Sequence, residues 1–154
     1  MTGTLVALAT FGLASPAFHA GASIPKPYTC DGSGVSPPLR WSAPPLGTRS
    51  LALSVKDPDA PGGTFVHWTA WNISPRSRGL ARGQRPPREG RNSAGTRGYT
   101  PPCPPSGPAH RYVFRLYALR TTLRLGPGAS PGAFDGALRS HVIAVTTLVG
   151  RYRR

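Results

Sequence analysis

Near its centre the chain reads Ser50-Leu51-Ala52-Leu53-Ser54-Val55-Lys56-Asp57-Pro58-Asp59-Ala60-Pro61-Gly62-Gly63-Thr64-Phe65-Val66-His67-Trp68-Thr69-Ala70-Trp71-Asn72-Ile73. Leu51, Leu53 and Val55 alternate with smaller residues, the period of a half-buried strand over Ser50–Val55. Pro58 to Gly63 is turn material, because proline presets φ and glycine accepts positive φ. Thr64 to Ile73 is apolar on both faces and reads as a central strand. Working outward, Tyr112–Leu119 is a third strand, with His110, Tyr112, Phe114 and Leu116 on one face. Residues 131–141 are expected to form a helix, with Pro131 in its first turn and Phe134, Leu138 and His141 at helical spacing. Val142–Val149 is expected as the last strand.

Residues 15–47 are rich in Pro and Gly and read as loop and edge structure, with a short strand around Leu39–Trp41. Residues 74–109 read as mostly irregular, and structureless stretches longer than about 15 residues are uncommon and often functional. Residues 1–14 are apolar and are read as an N-terminal strand or a ragged start, ahead of a single domain over 15–154. No basic residue precedes the apolar run, as a secretory signal would require, and the run is too short to cross a bilayer. A cytoplasmic location is expected, with a secreted or periplasmic one left open. The 154 residues fit one domain, and such a domain buries roughly 70% of its unfolded surface. Nineteen glycines and nineteen prolines, spread without a period, suit a turn-rich, mainly β protein.

The net charge is +14, from nineteen basic and five acidic residues. Arginines from Arg76 to Arg97 are interleaved with Gly, Pro and Ser. They read as a basic loop rather than a recognition helix, so specific nucleic-acid binding is not expected. Non-specific attraction to nucleic acid or an anionic membrane stays open. With acids so scarce, Asp57 and Asp59, placed one residue apart and close to His67, suggest a site. His110 and Tyr112 join them as candidates at a strand end. A carboxylate beside an imidazole fixes its tautomer and favours its charged form, which can then donate to an anion. The plainer alternatives are turn capping for the aspartates and a core position for His67. Two Asp and two His match no familiar metal spacing, and no metal or other cofactor is expected. No Gly-x-Ser-x-Gly elbow or phosphate-binding Gly-Lys loop occurs, so no catalytic residue is assigned. Cys30 and Cys103 do not form a zinc motif, and whether they pair is left open by spacing.

Several segments together resemble the phosphatidylethanolamine-binding protein family, most closely its bacterial Raf-kinase-inhibitor-like branch. They are Ile24-Pro25, Tyr28 to Gly32, Ser36 to Leu39 with Trp41, Asp57 to Pro61, Val66 to Trp68 with Asn72-Ile73, Cys103 to Pro105, His110 to Phe114, and His141 with Gly150 to Tyr152. The likeness runs from about Ser15 to Arg154. It implies a two-sheet antiparallel Greek-key β-sandwich with one or two short peripheral helices. It also implies a non-enzymatic pocket for phosphate-like anions or phosphoethanolamine head groups, lined by Asp57, Asp59, His67, Pro101, Pro102, His110 and Tyr112. Kinase or protease inhibition is implied as a further role, with the 76–97 loop as the candidate surface, and family members are often dimers. The resemblance places Cys30 and Cys103 near the pocket, where a disulfide or a thiol pair is expected. Two positions depart from the family pattern. Pro101 stands where glycine is usual, which removes an N–H. Lys56 stands where many members have an acid, which is expected to make the pocket rim more positive.

Overall fold

The computed structural model describes Gly3 and residues 10–154. Its strands are β1 (Leu13–Ala14), β2 (Leu39–Trp41), β3 (Ser50–Asp57), β4 (Phe65–Ile73), β5 (Gly79–Leu80), β6 (Arg88–Glu89), β7 (His110–Leu119) and β8 (Val142–Tyr152). Among the described residues there is one α-helix, α1 (Pro131–Leu138), and a single 3-10 turn over Lys26–Tyr28. A three-stranded sheet has the order β1-β2-β5, and a five-stranded sheet the order β6-β4-β3-β7-β8. Every pairing between these strands is antiparallel. This is the expected mainly β architecture of two antiparallel sheets with little helix. The expected start over residues 1–14 falls largely outside the described residues; of it, Leu13 and Ala14 pair with Trp41 and Arg40.

The main core lies between the sheets. Leu13, Leu39, Trp41 and Leu80 of the small sheet face Leu51, Leu53, Val55, Trp68, Phe114 and Leu116 of the large one. A second cluster forms on the outer face of the large sheet, where Phe134 and Leu138 of α1 cover Ala52, Trp71 and Leu119. That cover corrects the half-buried reading of β3. The strand is buried along nearly its whole length, because α1 shields the face that alternation assigned to solvent. Ser130 caps α1 by accepting from the Ala133 amide at 3.1 Å, and Pro131 occupies the first turn, where its missing N–H costs nothing. The helix ends at Leu138 rather than at 141. Arg139 leaves helical geometry and Ser140 takes φ 69°, and glycines at 132 and 136 leave little intrinsic drive to extend it.

Two irregularities in β4 decide which side chains reach the inner face. Leu51 pairs with Ile73 and Leu53 with Ala70, so three steps along β4 match two along β3. Asn72 lies in this bulge at φ 55°. Its amide holds Leu123 by exchanging two hydrogen bonds, with Leu123 N donating at 2.8 Å and Asn72 Nδ2 donating to Leu123 O at 3.1 Å. Farther along, Val55 pairs with Trp68 and Lys56 with Val66. His67 is the extra residue, so His67 and Trp68 both serve the inner side while Val66 turns outward. Bulges of this kind re-aim side chains beside binding sites.

The expected irregular stretch 74–109 contains β5 and β6 and is otherwise built from turns. Its hub is Asn92, 3% exposed, whose Oδ1 accepts from Ala94 N and Thr96 N and whose Nδ2 donates to Gly98 O. Gly98 sits at φ +101° against the Glu89 carboxylate, where a Cβ would come within 2.9 Å of Oε2. Only glycine fits both the backbone and the close approach. That turn returns the chain along β4 and delivers Thr100–Pro105 to the inner rim.

Candidate functional site

The rim holds a cavity of about 230 Å³ lined by Asp57, Ala60, Pro61, Phe65, His67, Thr100, Pro101, Cys103, Pro104, Pro105, His110 and Tyr112. Five of the seven residues expected from sequence line it: Asp57, His67, Pro101, His110 and Tyr112. Asp57 closes β3, the His67 bulge lies in β4, and His110 and Tyr112 open β7 on one face.

Asp57 is 3% exposed and fully engaged. Its Oδ1 accepts from the Asp59 amide at 2.8 Å, and its Oδ2 accepts from His110 Nδ1 at 2.7 Å. The carboxylate sets the His110 tautomer and leaves Nε2 without a described partner. His67 has a different partner. Its Nδ1 donates to the carbonyl of Thr100 at 2.8 Å, and Thr100 N donates back to His67 O at 2.9 Å. Burial pushes the His67 pKa below the usual histidine value, against smaller upward effects from Thr100 and Asp57. The carboxylate-paired, charged imidazole expected near Asp57 is not what His67 forms: its orienting group is a neutral carbonyl, and desolvation outweighs it. Phe65 packs on the His67 ring with centroids 4.7 Å apart, and Tyr112 meets it edge-on at 5.2 Å.

Tyr112 is wholly buried, and its hydroxyl finds no partner among the described residues. Burial, then the nearby Asp57 and Asp59 carboxylates, push its pKa well above the phenol range. The group is therefore a neutral O–H. An unpaired buried hydroxyl costs on the order of 1–3 kcal/mol unless something occupies it.

The facing wall is Thr100–Pro105. Prolines supply no ladder donors, so other contacts hold it. Tyr99 stacks edge-on against Trp68 at 5.4 Å and donates its hydroxyl to Tyr28 O at 2.7 Å. Cys30 and Cys103 form a disulfide with Cα atoms 5.3 Å apart, and Cys30 N donates to Pro102 O at 3.0 Å. Tyr152 donates to Asp31, which also pairs with Arg154 at 3.2 Å. The cavity persists with Pro101 in its wall.

Three expectations are corrected. Asp59 does not line the cavity. It turns outward and holds Arg111 through Arg111 N, Nε and Nη2 at 2.8, 3.0 and 2.8 Å, and this lowers its pKa from 3.8 to about 2. Its work is to fasten the turn to β7. Pro102 is buried, does not line the cavity, and commits its carbonyl to the Cys30 amide. Lys56 lies on the outer face of the sheet, paired with Asp135 at 3.0 Å, and adds no charge to the rim. Sequence reasoning missed Phe65, Ala60, Pro61 and Thr100 as individual lining residues. Thr100 acts through its backbone, which no side-chain pattern reveals. Among the described residues no three His, Cys, Asp or Glu side chains converge as a metal site.

The chain is 48% identical over 149 residues to a UPF0098 protein of Methanothermobacter thermautotrophicus, covering 92% of this chain and 98% of that one. The crystal structure of a phosphatidylethanolamine-binding protein homolog from Chlamydia trachomatis superposes with a TM-score of 0.90 at 41% identity, covering 94% of this chain and 98% of that one. Escherichia coli YbcL, described as a new member of the mammalian PEBP family, superposes with a TM-score of 0.87 at 33% identity, covering 95% and 99%. The family model for phosphatidylethanolamine-binding proteins matches residues 14–153. With that match over nearly the whole chain, and a buried Asp57–His110 pair in a pocket suited to an anion, the chain belongs to the phosphatidylethanolamine-binding protein family.

Proposed function

We propose that the pocket binds a small oxyanion, either a phosphate-like group or a phosphoethanolamine head group, and that the protein acts as a non-enzymatic regulator of the Raf-kinase-inhibitor-like kind. The observation that carries this reading is Tyr112, a residue that lines the cavity and whose buried hydroxyl has no partner among the described residues. An oxyanion oxygen satisfies it. His110, when protonated, donates from Nε2 with Asp57 as its counter-charge. The cavity's sulfur is tied up in the disulfide, so it offers no thiol nucleophile.

The test is calorimetric titration of phosphoethanolamine at pH 6 and pH 8 into the wild type and Tyr112→Phe. Saturable binding that weakens about tenfold in the variant, the worth of one hydrogen bond to a charged group, supports the reading. The variant should be at least as thermally stable as the wild type, because the hydroxyl it loses is buried with no partner among the described residues. No saturable binding at either pH rejects the reading.

A second reading has its own observation. Arg76, Arg78, Arg82, Arg85, Arg88, Arg91 and Arg97 are all exposed on the 76–97 segment, a basic surface for an acidic partner such as a kinase or protease. Replacing Arg88 and Arg91 by Glu should abolish inhibition of such an enzyme and leave phosphoethanolamine binding intact. Inhibition that survives this change removes the loop reading.

A further inference from the structure

The pocket presents an acceptor as well as donors. Thr100 O lies 2.8 Å from His67 Nδ1. A carbonyl oxygen only accepts, so Nδ1 carries its hydrogen whether the ring is neutral or charged. In the neutral ring Nε2 is therefore a lone pair. It makes no hydrogen bond to a described residue, and His67 lines the cavity.

The groups around this ring come from every packed element. β3 contributes Asp57, β7 contributes His110 and Tyr112, β4 itself contributes Phe65, and the return segment contributes the Thr100 carbonyl. Among these, Asp57 is the charge that favours the imidazolium, and desolvation of the buried ring outweighs it. Asp57 also bears on the ligand directly. Its two oxygens are held by Asp59 N and His110 Nδ1 at the cavity wall, so a doubly charged ligand meets a fixed negative charge there.

An oxyanion without a hydrogen must set an oxygen lone pair against His67 Nε2 or draw a proton from water onto a buried ring. An oxyanion that carries a hydrogen avoids both. Resting on the oxyanion reading above, we propose that the pocket selects the monohydrogen form of a phosphomonoester. Its P–OH donates to His67 Nε2, and its charged oxygens accept from the Tyr112 hydroxyl and from His110. A buried site built to pair with a ligand hydrogen rejects an analogue that lacks it, because its own polar group is then left unpaired. The head group of an intact phospholipid is a phosphodiester and has no P–OH. The pocket is thereby assigned to free phosphomonoesters rather than to lipid surfaces.

The test compares methyl phosphate with methyl sulfate by calorimetry at pH 5.5. The two have nearly the same size and shape. Phosphomonoesters have a second pKa of about 6, so both ligands are mainly singly charged there, and only methyl phosphate carries a hydrogen. Methyl phosphate should bind about tenfold tighter or better, and its affinity should fall as pH rises above about 6 and the hydrogen is lost. Dimethyl phosphate, the diester, should behave like methyl sulfate. In His67→Phe the preference should fall to about one; in the wild type, the His67 Nε2 nitrogen resonance should move with methyl phosphate and much less with methyl sulfate. Equal affinity for the three ligands in the wild type overturns the proton-selective proposal and leaves the oxyanion reading standing. Failure of all three to bind overturns both.

Discussion

The two walls of the pocket are held by different means. The sheet wall, with Asp57, His67, His110 and Tyr112, is set by strand ladders and burial between packed sheets. The opposite wall, Thr100 to Pro105, contains four prolines and cannot join a ladder. It is fastened by a disulfide, one hydrogen bond donated by the Cys30 amide and the Thr100–His67 exchange. The two imidazoles divide along the same line. His110 is oriented within the sheet wall by a carboxylate, and His67 is oriented from the proline wall by a carbonyl. Two histidines that look equivalent in sequence thus receive a charged partner and a neutral one.

The largest break in this comparison comes from cutting the staple. The bridge spans a sequence separation of 73. By loop-closure entropy, Cys30→Ser with Cys103→Ser should cost about 4 kcal/mol in denaturant unfolding. The His67 ring resonances should broaden or shift while those of His110 hold, because only His67 takes its orientation from that wall. Equal disturbance of both rings would show that the walls are not independent.

Asp57→Ala attacks the other wall. It leaves His110 buried without its acceptor and should cost about 3 kcal/mol, with loss of phosphoethanolamine binding. The disulfide and the Thr100–His67 bond should survive, read as unchanged amide exchange at Thr100. Amide exchange that rises at Thr100 as much as near His110 would contradict the division.

The smallest effect, and the sharpest test, is pH. The folded pKa of His67 lies below 6.5, so between the two values the unfolded chain binds more protons than the folded one. Burial of neutral His67 therefore carries no penalty above pH 6.5, and stability falls as pH drops through 6.5 toward the folded value. An NMR titration should place the His67 midpoint below 6.5. The stability difference between wild type and His67→Phe should shift against the wild type between pH 7 and pH 5. A His67 midpoint at or above 6.5 would remove the distinction between the rings.

Much of this was legible in the chain because it depends on local pattern. Alternating Leu51, Leu53 and Val55, the Asp57–Gly63 turn and the apolar runs of β4 and β7 mark strands wherever they occur, since side-chain direction follows a period of two. The nearness of Asp57 and His67 to one turn, and of His110 and Tyr112 to one strand end, marked the site. What the pattern could not carry were contacts between distant segments. Asp59 looked like the twin of Asp57, but it faces outward because Arg111 meets it across the turn with three donors. Lys56 was diverted by Asp135 on α1, far along the chain.

By itself, then, the sequence determined the mainly β class, the turn of the candidate site at Asp57–Gly63 and the carboxylate and imidazole residue types near it, because propensity, turn chemistry and charge scarcity are local properties. Tertiary structure alone decided that His67 is the extra residue of a bulge, that Thr100 offers it a carbonyl and that the Tyr112 hydroxyl has no partner among the described residues. Those outcomes depend on strand register and on where a distant loop returns, and hydrogen bonds across such separations exist only once the sheets have closed.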